Sequence, residues 1–284
     1  MNQGVRMKSQ PPVNWRKPDA SPEAIERDVA YAVQIGNEYI ELLSGRNLPV
    51  AGASILELGP GHNYGSVMVL ACCGASVAVA DRFPVPWDRD YHPRFCEALR
   101  AKLDALHAKY VTAPIARCVE ASGTGSVVKV IASPAEHLEG VADGSIDIVL
   151  SNAVLEHAES PAGVASELHR ITRPGGYGIH QVDFRDHRDF SRPLEYLLLG
   201  MDEFEAMFDE RHGECGRQIR HHEMRALFEA AGFKVARFDA NWIAQDDYLD
   251  DFLPRLRASQ SVYRDVPRSE LRTISGRFFL HKPA

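Results

Sequence analysis

Short apolar runs separated by amphipathic segments recur along most of the chain, and this alternation predicts an α/β protein. Residues 55–58, 77–80 and 146–150 have the length and composition of buried parallel strands. Segments with apolar residues at helical spacing lie between strands, and a further strand is expected at 177–182. Strand, helix and strand in this order form the βαβ repeat of a parallel sheet.

A long helix is expected ahead of the first strand. Ser21 suits the N-cap and Pro22 the first helical position, and apolar residues recur at near-helical spacing up to Gly45. The polar, proline-containing residues 1–20 are expected to form a mobile or loosely docked arm. Residues 21–284 are then expected to form a single domain.

Four segments lie outside the minimal alternation of strands and helices, namely 21–45, 82–125, 184–215 and 241–270. Each is predicted to be a cap segment, mostly helical, over a binding cleft, with plain packing on the domain surface as the alternative. Long insertions inside compact domains tend to be functional.

The most informative stretch follows the first strand, where Gly59-Pro60-Gly61 turns the chain sharply. Two residues without a Cβ let a ligand approach the backbone closely. Asp81 stands at the carboxyl end of the second strand, the edge at which open α/β sheets bind ligands. Because a carboxylate there can accept hydrogen bonds from both hydroxyls of a ribose, the stretch predicts an adenosyl ligand.

Two cofactor classes share this plan, the dinucleotides and S-adenosylmethionine. The dinucleotide fingerprint is G-x-G-x-x-G, whereas here the third glycine, Gly65, is out of register. Glu57, two residues before the first glycine, is a second difference. The segment ELGPGHN resembles the E-x-G-x-G first motif of the class I S-adenosylmethionine-dependent methyltransferases, in which the acid lies near the methionine end of the cofactor.

A second stretch strengthens this resemblance. The segments SIDIVLSNAVLEHAES and ELHRITRPGGYGIH look like the fourth to sixth motifs of the small-molecule members of the family, and the motifs stand in order over residues 54–183. The resemblance implies an α/β fold with a Rossmann-like, doubly wound sheet of seven strands, mostly parallel with the last strand antiparallel. It also implies S-adenosylmethionine as the cofactor. The cofactor-binding residues that it implies are Glu57, Gly59, Gly61, His62, Asp81, Arg82, Ala135, Glu136, Ser151 and Asn152.

One contact of the family is missing from the turn after the third strand. Members of the family often carry D-A-E-x-L there, with the aspartate near the adenine amino group. Here Ala135, Glu136 and Leu138 are present, but Pro134 takes the place of the aspartate. Adenine recognition is therefore expected to differ, through Ser133 or backbone groups.

If the methyl acceptor is a hydroxyl, the reaction needs a general base, and a histidine with a pKa near neutrality suits that role. His157 follows the fourth strand and His187 the fifth, at the strand ends expected to face the cofactor. The alternatives are a packing or helix-capping role for His157 and a surface position for His187. Asp183 is expected to orient an imidazole, to bind substrate hydroxyls, or to serve as the base itself.

The resemblance implies a small-molecule substrate as the partner, and the composition favours neither nucleic acid nor a membrane. The net charge of −7 does not favour non-specific binding to nucleic acid. No apolar run approaches the ~20 residues of a membrane span, and the N-terminus lacks the apolar core of a signal peptide, so a cytoplasmic location is expected. The five cysteines contain no C-x-x-C pair, and the histidines, His221-His222 included, show no metal-ligand spacing, so no metal is expected.

The sequence therefore predicts an S-adenosylmethionine-dependent methyltransferase that methylates an oxygen of a small polar metabolite or glycan precursor. The acceptor class follows from a similarity of VDFRDH and RQIRHHEMRALFEAAGF to enzymes that act on sugars or other small polar metabolites. Two alternatives stay open: a non-catalytic, methyltransferase-like binding module, and a nicotinamide-dependent oxidoreductase.

Overall fold

The computed structural model describes residues 17–105, 128–211 and 213–284. Its strands are β1 Ser54–Leu58, β2 Ser76–Asp81, β3 Val128–Ala132, β4 Ile146–Asn152, β5 Thr172–Asp183, β6 Lys234–Ile243 and β7 Thr273–His281. They form one seven-stranded sheet in the order β3-β2-β1-β4-β5-β7-β6. Strands β1 to β5 pair in parallel, and β7 is antiparallel to both β5 and β6. The predicted fold class is confirmed.

The α-helices of the described chain are α1 Pro22–Ser44, α2 Gly65–Cys72, α3 His92–Ala105, α4 Pro161–Ile171, α5 Met201–Glu210, α6 His221–Ala230, α7 Asp246–Ala258 and α8 Arg268–Arg272. Short 3₁₀ helices cover Leu155–His157 and Glu195–Leu198. Among the described residues, no helix is both long enough and apolar enough to cross a bilayer.

The two faces of the sheet are covered by different helices, because successive residues of a strand point to opposite faces. On one face, Ile55 of β1 belongs to a buried core with α1, α2 and α3. On the other face, Leu56 and Leu58 belong to a core with α4 and α6. This doubly wound arrangement leaves the carboxyl ends of β1, β2 and β4 as one edge at which a ligand can bind.

Helix α1 follows its predicted course and packs closely on α2. The Ser21 hydroxyl accepts a hydrogen bond from the Ala24 amide at 3.3 Å, and the helix ends before Gly45. A Cβ added at Gly36 would lie 2.6 Å from the Cβ of Val69 in α2, so only glycine permits this approach. Tyr31, Ala32 and Ile35 of α1 border one cavity together with the glycine turn that follows β1.

A third buried cluster lies beyond the carboxyl end of β5. It joins residues of the segment 194–208 to α7 and α8, and its members include Tyr196, Phe208 and Phe252. Two of the predicted cap segments, 184–215 and 241–270, therefore pack on each other through an apolar core of their own.

Two details of the secondary structure are irregular. The segment 194–208 is not one continuous helix: the 3₁₀ turn and α5 are separated by Leu199 and Gly200, because both residues have extended backbone. The strand expected at 177–182 begins earlier, because the Arg-Pro-Gly-Gly segment after α4 lies inside β5. There the register moves from the pair Ile146–Thr172 to the pair Ile148–Tyr177. Residues 1–16 of the predicted arm, and the part of the predicted insertion from 106 onwards, lie outside the described residues.

Candidate functional site

A cavity of about 320 Å³ opens at the carboxyl ends of β1, β2 and β4, and we call it the strand-end cavity. Its lining residues are Leu58, Gly59, Gly61, Ala80, Asp81, Arg82, Phe83, Pro134, Ala135, Glu136, Ala153, Val154, Leu155, His157 and Ala158. A smaller cavity of about 200 Å³, the Glu57 cavity, shares Gly59 and Gly61 with it. The glycine turn is therefore the wall between two neighbouring cavities.

The two glycines of this turn have different roles. Both have positive φ, +58° at Gly59 and +69° at Gly61, a region that favours glycine. A Cβ at Gly59 would lie 2.5 Å from Cγ2 of Val154, whereas one at Gly61 would have no described heavy atom within 4 Å. Gly59 is thus required by packing, and Gly61 leaves its backbone open to a ligand.

Asp81 lies where the sequence predicts, at the end of β2 and in the wall of the strand-end cavity. Its Oδ1 accepts a hydrogen bond from the Phe83 amide at 2.7 Å. Within the described part of the chain, its Oδ2 accepts no hydrogen bond. Burial raises the pKa of the Asp81 carboxyl, against the opposing effects of the Phe83 amide and Arg82. The second oxygen therefore has capacity for hydroxyl donors of a ligand.

Arg82, Ala135 and Glu136 also line this cavity. The side chains of Arg82 and Glu136 contact the chain segments that form its wall. Arg82 forms an ion pair with Glu159 and lies 3.4 Å from Oε2 of Glu136. The other oxygen of Glu136 accepts the amides of Glu159 at 2.8 Å and Ser160 at 3.3 Å, just before α4. Arg82 and Glu136 thus fix the loop after β3 to the start of α4.

Glu57 is buried in the wall of the second cavity. Its carboxylate oxygens accept hydrogen bonds from Tyr39 at 3.0 Å and Ser66 at 2.6 Å. Burial raises the pKa of Glu57 to about 7, although both hydrogen bonds lower it. Asn152 lies across the same cavity and donates to the hydroxyl of Tyr31 at 3.1 Å. Glu57 and Asn152 are thus brought together at one end of the site.

His157 lies in the wall of the strand-end cavity, with Nδ1 2.8 Å from the carbonyl oxygen of Gly213. A carbonyl oxygen only accepts hydrogen bonds, so Nδ1 carries a proton, and in the neutral ring Nε2 has the lone pair. Burial lowers the pKa of His157, and this favours the neutral ring near pH 7. His157 is therefore in the tautomer in which Nε2 can accept a proton.

His187 and Asp183 lie beside His157 but do not line the cavity. The rings of His157 and His187 are 5.0 Å apart, and Nε2 of His187 lies 3.6 Å from Oδ2 of Asp183. Arg185 donates to the same carboxylate at 2.9 Å through Nε and 2.6 Å through Nη2. Burial raises the pKa of Asp183, but His187 and Arg185 outweigh it and hold the pKa at about 2, so Asp183 is a weak base.

Two predicted cofactor residues do not face either cavity. The buried hydroxyl of Ser151 lies 2.9 Å from Nδ1 of His180 on β5, within the sheet. His62 points toward α1, with Nε2 3.0 Å from Asp28 and 3.2 Å from the hydroxyl of Tyr91. His62 therefore contacts α1 and the segment before α3, and neither residue lines the described cavities.

Tyr31 and Val154 belong to the site but escape sequence reasoning. Tyr31 comes from α1, where its position on the helix gives no sign of the cavity that it borders. Val154 lines the strand-end cavity and packs on Gly59. The sequence carried only an indirect signal for Val154, because a position whose packing excludes a Cβ must have a close neighbour.

The fold and the site define an α/β protein with a cavity at the carboxyl ends of its parallel strands, and comparisons with known proteins narrow the class. Residues 91–179 match the family model described as a methyltransferase domain. The chain is 27% identical over 206 residues to an uncharacterized methyltransferase of Mycobacterium ulcerans (strain Agy99), covering 71% of this chain and 68% of that protein.

Two further likenesses are more limited. An uncharacterized methyltransferase of Mycolicibacterium gilvum (strain PYR-GCK) is 33% identical over 98 residues, covering 34% of this chain and 38% of that protein. The crystal structure of an S-adenosylmethionine-dependent methyltransferase from Mesorhizobium loti has a TM-score of 0.48 and 14% identity, covering 82% of this chain and 92% of that one.

The family model and the relatives support a class I S-adenosylmethionine-dependent methyltransferase. The residues that match the family model begin after the glycine turn. Whether that turn suits the cofactor, S-adenosylmethionine, therefore has to be judged from its geometry. The open space at Gly61 and the unused acceptor capacity of Asp81 both suit an adenosyl group. The adjoining buried carboxyl of Glu57 suits the cationic end of a methionine.

Proposed function

We propose that this methyltransferase methylates a hydroxyl group of a small polar metabolite or glycan precursor, with His157 as the general base. One observation carries the proposal: His157 borders the strand-end cavity with its Nδ1 proton held by Gly213. A base is needed for a hydroxyl nucleophile, because a neutral hydroxyl must lose its proton as it attacks.

The cofactor would be held by residues of both cavities. We assign the ribose hydroxyls to Asp81, the close backbone approach to Gly59 and Gly61, and the methionine end to Glu57 and Asn152. The adenine would lie against Pro134, Ala135 and Glu136, through backbone groups and the apolar ring of the proline, since no aspartate stands there. Ser151 and His62 would support the site from outside.

When bound, S-adenosylmethionine supplies a methyl group activated by a sulfonium. The protein's contribution is to position the acceptor, which can supply roughly 7–11 kcal/mol of the barrier, and to remove its proton. Nε2 of His157 would take that proton. The resulting imidazolium would be stabilised by the Gly213 carbonyl at Nδ1 and by the carboxylate of Asp183, which raises the pKa of His157.

Charged groups at the end of β5 support a polar acceptor. Asp183, Arg185 and His187 form one ion-paired cluster next to His157. The guanidinium of Arg185 lies 4.3 Å from the ring centre of Phe190 and 4.4 Å from that of Trp242, both exposed aromatic residues. An aromatic rim around charged groups suits ring compounds that carry several hydroxyls.

The acceptor class is tested with purified protein and S-adenosylmethionine labelled in the methyl group. Monosaccharides and nucleotide sugars are assayed beside the amino sugars that replace one hydroxyl with an amine. We expect label in a hydroxyl compound as a methyl ether. Transfer to the amine of the matched compound, or only to protein or nucleic acid, would contradict the proposal.

The base is tested with His157→Gln and His187→Gln on the acceptor found in that screen. We expect His157→Gln to lower kcat by ~10²–10⁴-fold with cofactor affinity nearly unchanged. The wild-type rate should fall at acid pH with an apparent pKa below ~6.5, because burial lowers the pKa of His157, and the variant should lose that limb. His187→Gln should act mainly on KM.

Equal activity and equal pH profiles for wild type and both variants would remove both histidines as the base. Catalysis would then depend on positioning alone or on a carboxylate such as Asp183. Calorimetry with S-adenosylhomocysteine separates this result from loss of the cofactor site, since it measures binding without an acceptor.

A further inference from the structure

Two histidines and a glutamate meet away from the cofactor cavities. His221 and His222 open α6, and Glu270 lies in α8. Nε2 of His221 is 3.0 Å and Nδ1 of His222 is 3.5 Å from the same carboxylate oxygen, Oε2 of Glu270. One ligand atom from each residue lies within 4.8 Å of the other two.

Hydrogen bonding does not account for this arrangement. Both imidazole nitrogens are buried, and neither has a hydrogen-bond partner in the part of the chain that the structure describes. Nε2 of His221 lies 3.0 Å from Oε2 of Glu270, but this contact does not have the geometry of a hydrogen bond. Buried polar atoms without partners are rare and call for an explanation such as an ion.

The distances agree with those between ligands of a single ion. Zinc binds imidazole nitrogen and carboxylate oxygen at about 2.0–2.2 Å with tetrahedral geometry. Two such ligands are therefore separated by roughly 3.3–3.5 Å. The two measured nitrogen–oxygen separations, 3.0 and 3.5 Å, lie around this value.

The backbone that carries these side chains is held firmly. Arg220, fully buried just before His221, donates to the carbonyl of Phe184 at 2.9 Å and to that of Leu271 at 3.1 Å, and also to the carbonyl of Thr273. One guanidinium therefore joins the start of α6 to the residue that follows Glu270. The ring of His221 also stacks on Phe238 at 5.0 Å with an interplanar angle of 8°.

We propose that His221, His222 and Glu270 bind one divalent transition-metal ion of the zinc type. Two imidazoles and one carboxylate suit zinc, nickel or cobalt better than magnesium or calcium, which prefer oxygen ligands. Three protein ligands leave a coordination position for water. The ion would join α6 to α8 and thereby stabilise the connection that leads into β7.

The test uses tag-free full-length protein, stripped with a chelator and titrated with zinc chloride in a calorimeter. We expect one zinc ion per chain, a midpoint of thermal unfolding that rises by several degrees at saturating zinc, and no binding of magnesium. His222→Gln and Glu270→Gln should each raise the Kd for zinc at least tenfold and remove the thermal shift. Both side chains are partly exposed, so the variants are expected to fold.

His137→Gln is the matched control, because it removes an exposed histidine outside the cluster. Absence of zinc binding by the wild type, or variants that bind zinc as tightly as His137→Gln, would overturn the proposal. The readout is metal affinity, so it does not depend on the assigned methyl acceptor.

Discussion

Replacing Asp81 with asparagine should weaken cofactor binding without unfolding the protein. Asparagine keeps the shape of the side chain and one carbonyl oxygen, which can still accept the Phe83 amide that Asp81 holds at 2.7 Å. The variant loses the negative charge and the second acceptor oxygen, the features that we assign to the ribose hydroxyls. The change therefore separates the hydrogen bond between Asp81 and the Phe83 amide from the hydrogen bonds that we propose between Asp81 and the ribose.

The expected effect on affinity follows from the strength of a charged hydrogen bond. Hydrogen bonds to charged groups contribute about 1.5–3 kcal/mol, which corresponds to roughly a 10- to 150-fold change in Kd. Stability should not fall, because burial raises the pKa of Asp81 and the ionised carboxylate is therefore disfavoured in the ligand-free protein. A neutral amide removes that unfavourable desolvation.

Calorimetric titration with S-adenosylmethionine and S-adenosylhomocysteine measures the Kd, and thermal unfolding without ligand measures stability. The matched control is Asp88→Asn. Asp88 accepts the amides of Asp90 at 2.8 Å and Tyr91 at 2.9 Å, a similar turn, but it does not line either cavity. We expect the control to bind both compounds like the wild type.

An unchanged Kd for a folded Asp81→Asn protein would remove Asp81 from the cofactor site. A Kd that rises in proportion to a loss of stability, equally in both variants, would show that the turn matters only for folding. Either result would contradict the assignment of the strand-end cavity to the ribose.

Three further changes test the packing of the glycine turn and the burial of Glu156, the fully buried neighbour of His157. Gly59→Ala should lower the unfolding temperature, since its Cβ would meet Val154 at 2.5 Å, and Val154→Ala in the same chain should restore part of the loss. Gly61→Ala carries the same φ cost of ~1–2 kcal/mol but meets open space, so calorimetry should show it losing more cofactor affinity than stability. Burial raises the pKa of Glu156 to about 8, so its wild-type contribution to stability falls as pH rises from about 5 to 8. The gain in unfolding free energy for Glu156→Gln, measured in urea, should grow over that window. An equal gain at about pH 5 and about pH 8 would refute the raised pKa of Glu156.

Local sequence signals were sufficient for the framework of the site. A glycine turn between an apolar strand and a helix, with an acid at the end of the next strand, specifies where the backbone bends and where Asp81 stands. The structure places Gly61 and Asp81 in one cavity, as that reasoning expects. Both features depend on residues close together in the sequence, and short-range rules describe such residues well.

Side-chain direction and remote partners are beyond those rules. Ser151 is at the expected strand end, but it pairs in register with His180 and hydrogen-bonds within the sheet. The direction of its side chain depends on the neighbouring strand. His222 shows no metal-ligand spacing in sequence, because its partner Glu270 comes from a helix far along the chain.

The choice between the two histidines rests on the same kind of remote contact. A lone pair on Nε2 of His157 requires a proton on Nδ1, and the group that holds this proton is the carbonyl of Gly213, beyond α5. Gly213 has φ of +80°, a region that favours glycine, and a Cβ there would lie 3.1 Å from the His157 carbonyl oxygen, so any other residue would be strained and tightly packed. The segment 184–215 therefore contributes to the proposed chemistry by fixing the tautomer of a residue in the 3₁₀ helix that follows β4. Among the described residues, no carbonyl is hydrogen-bonded to the ring of His187. Its Nε2 faces the carboxylate of Asp183, which favours a proton at that nitrogen. This difference is the physical reason to assign the base to His157 and the orientation of the acceptor to His187.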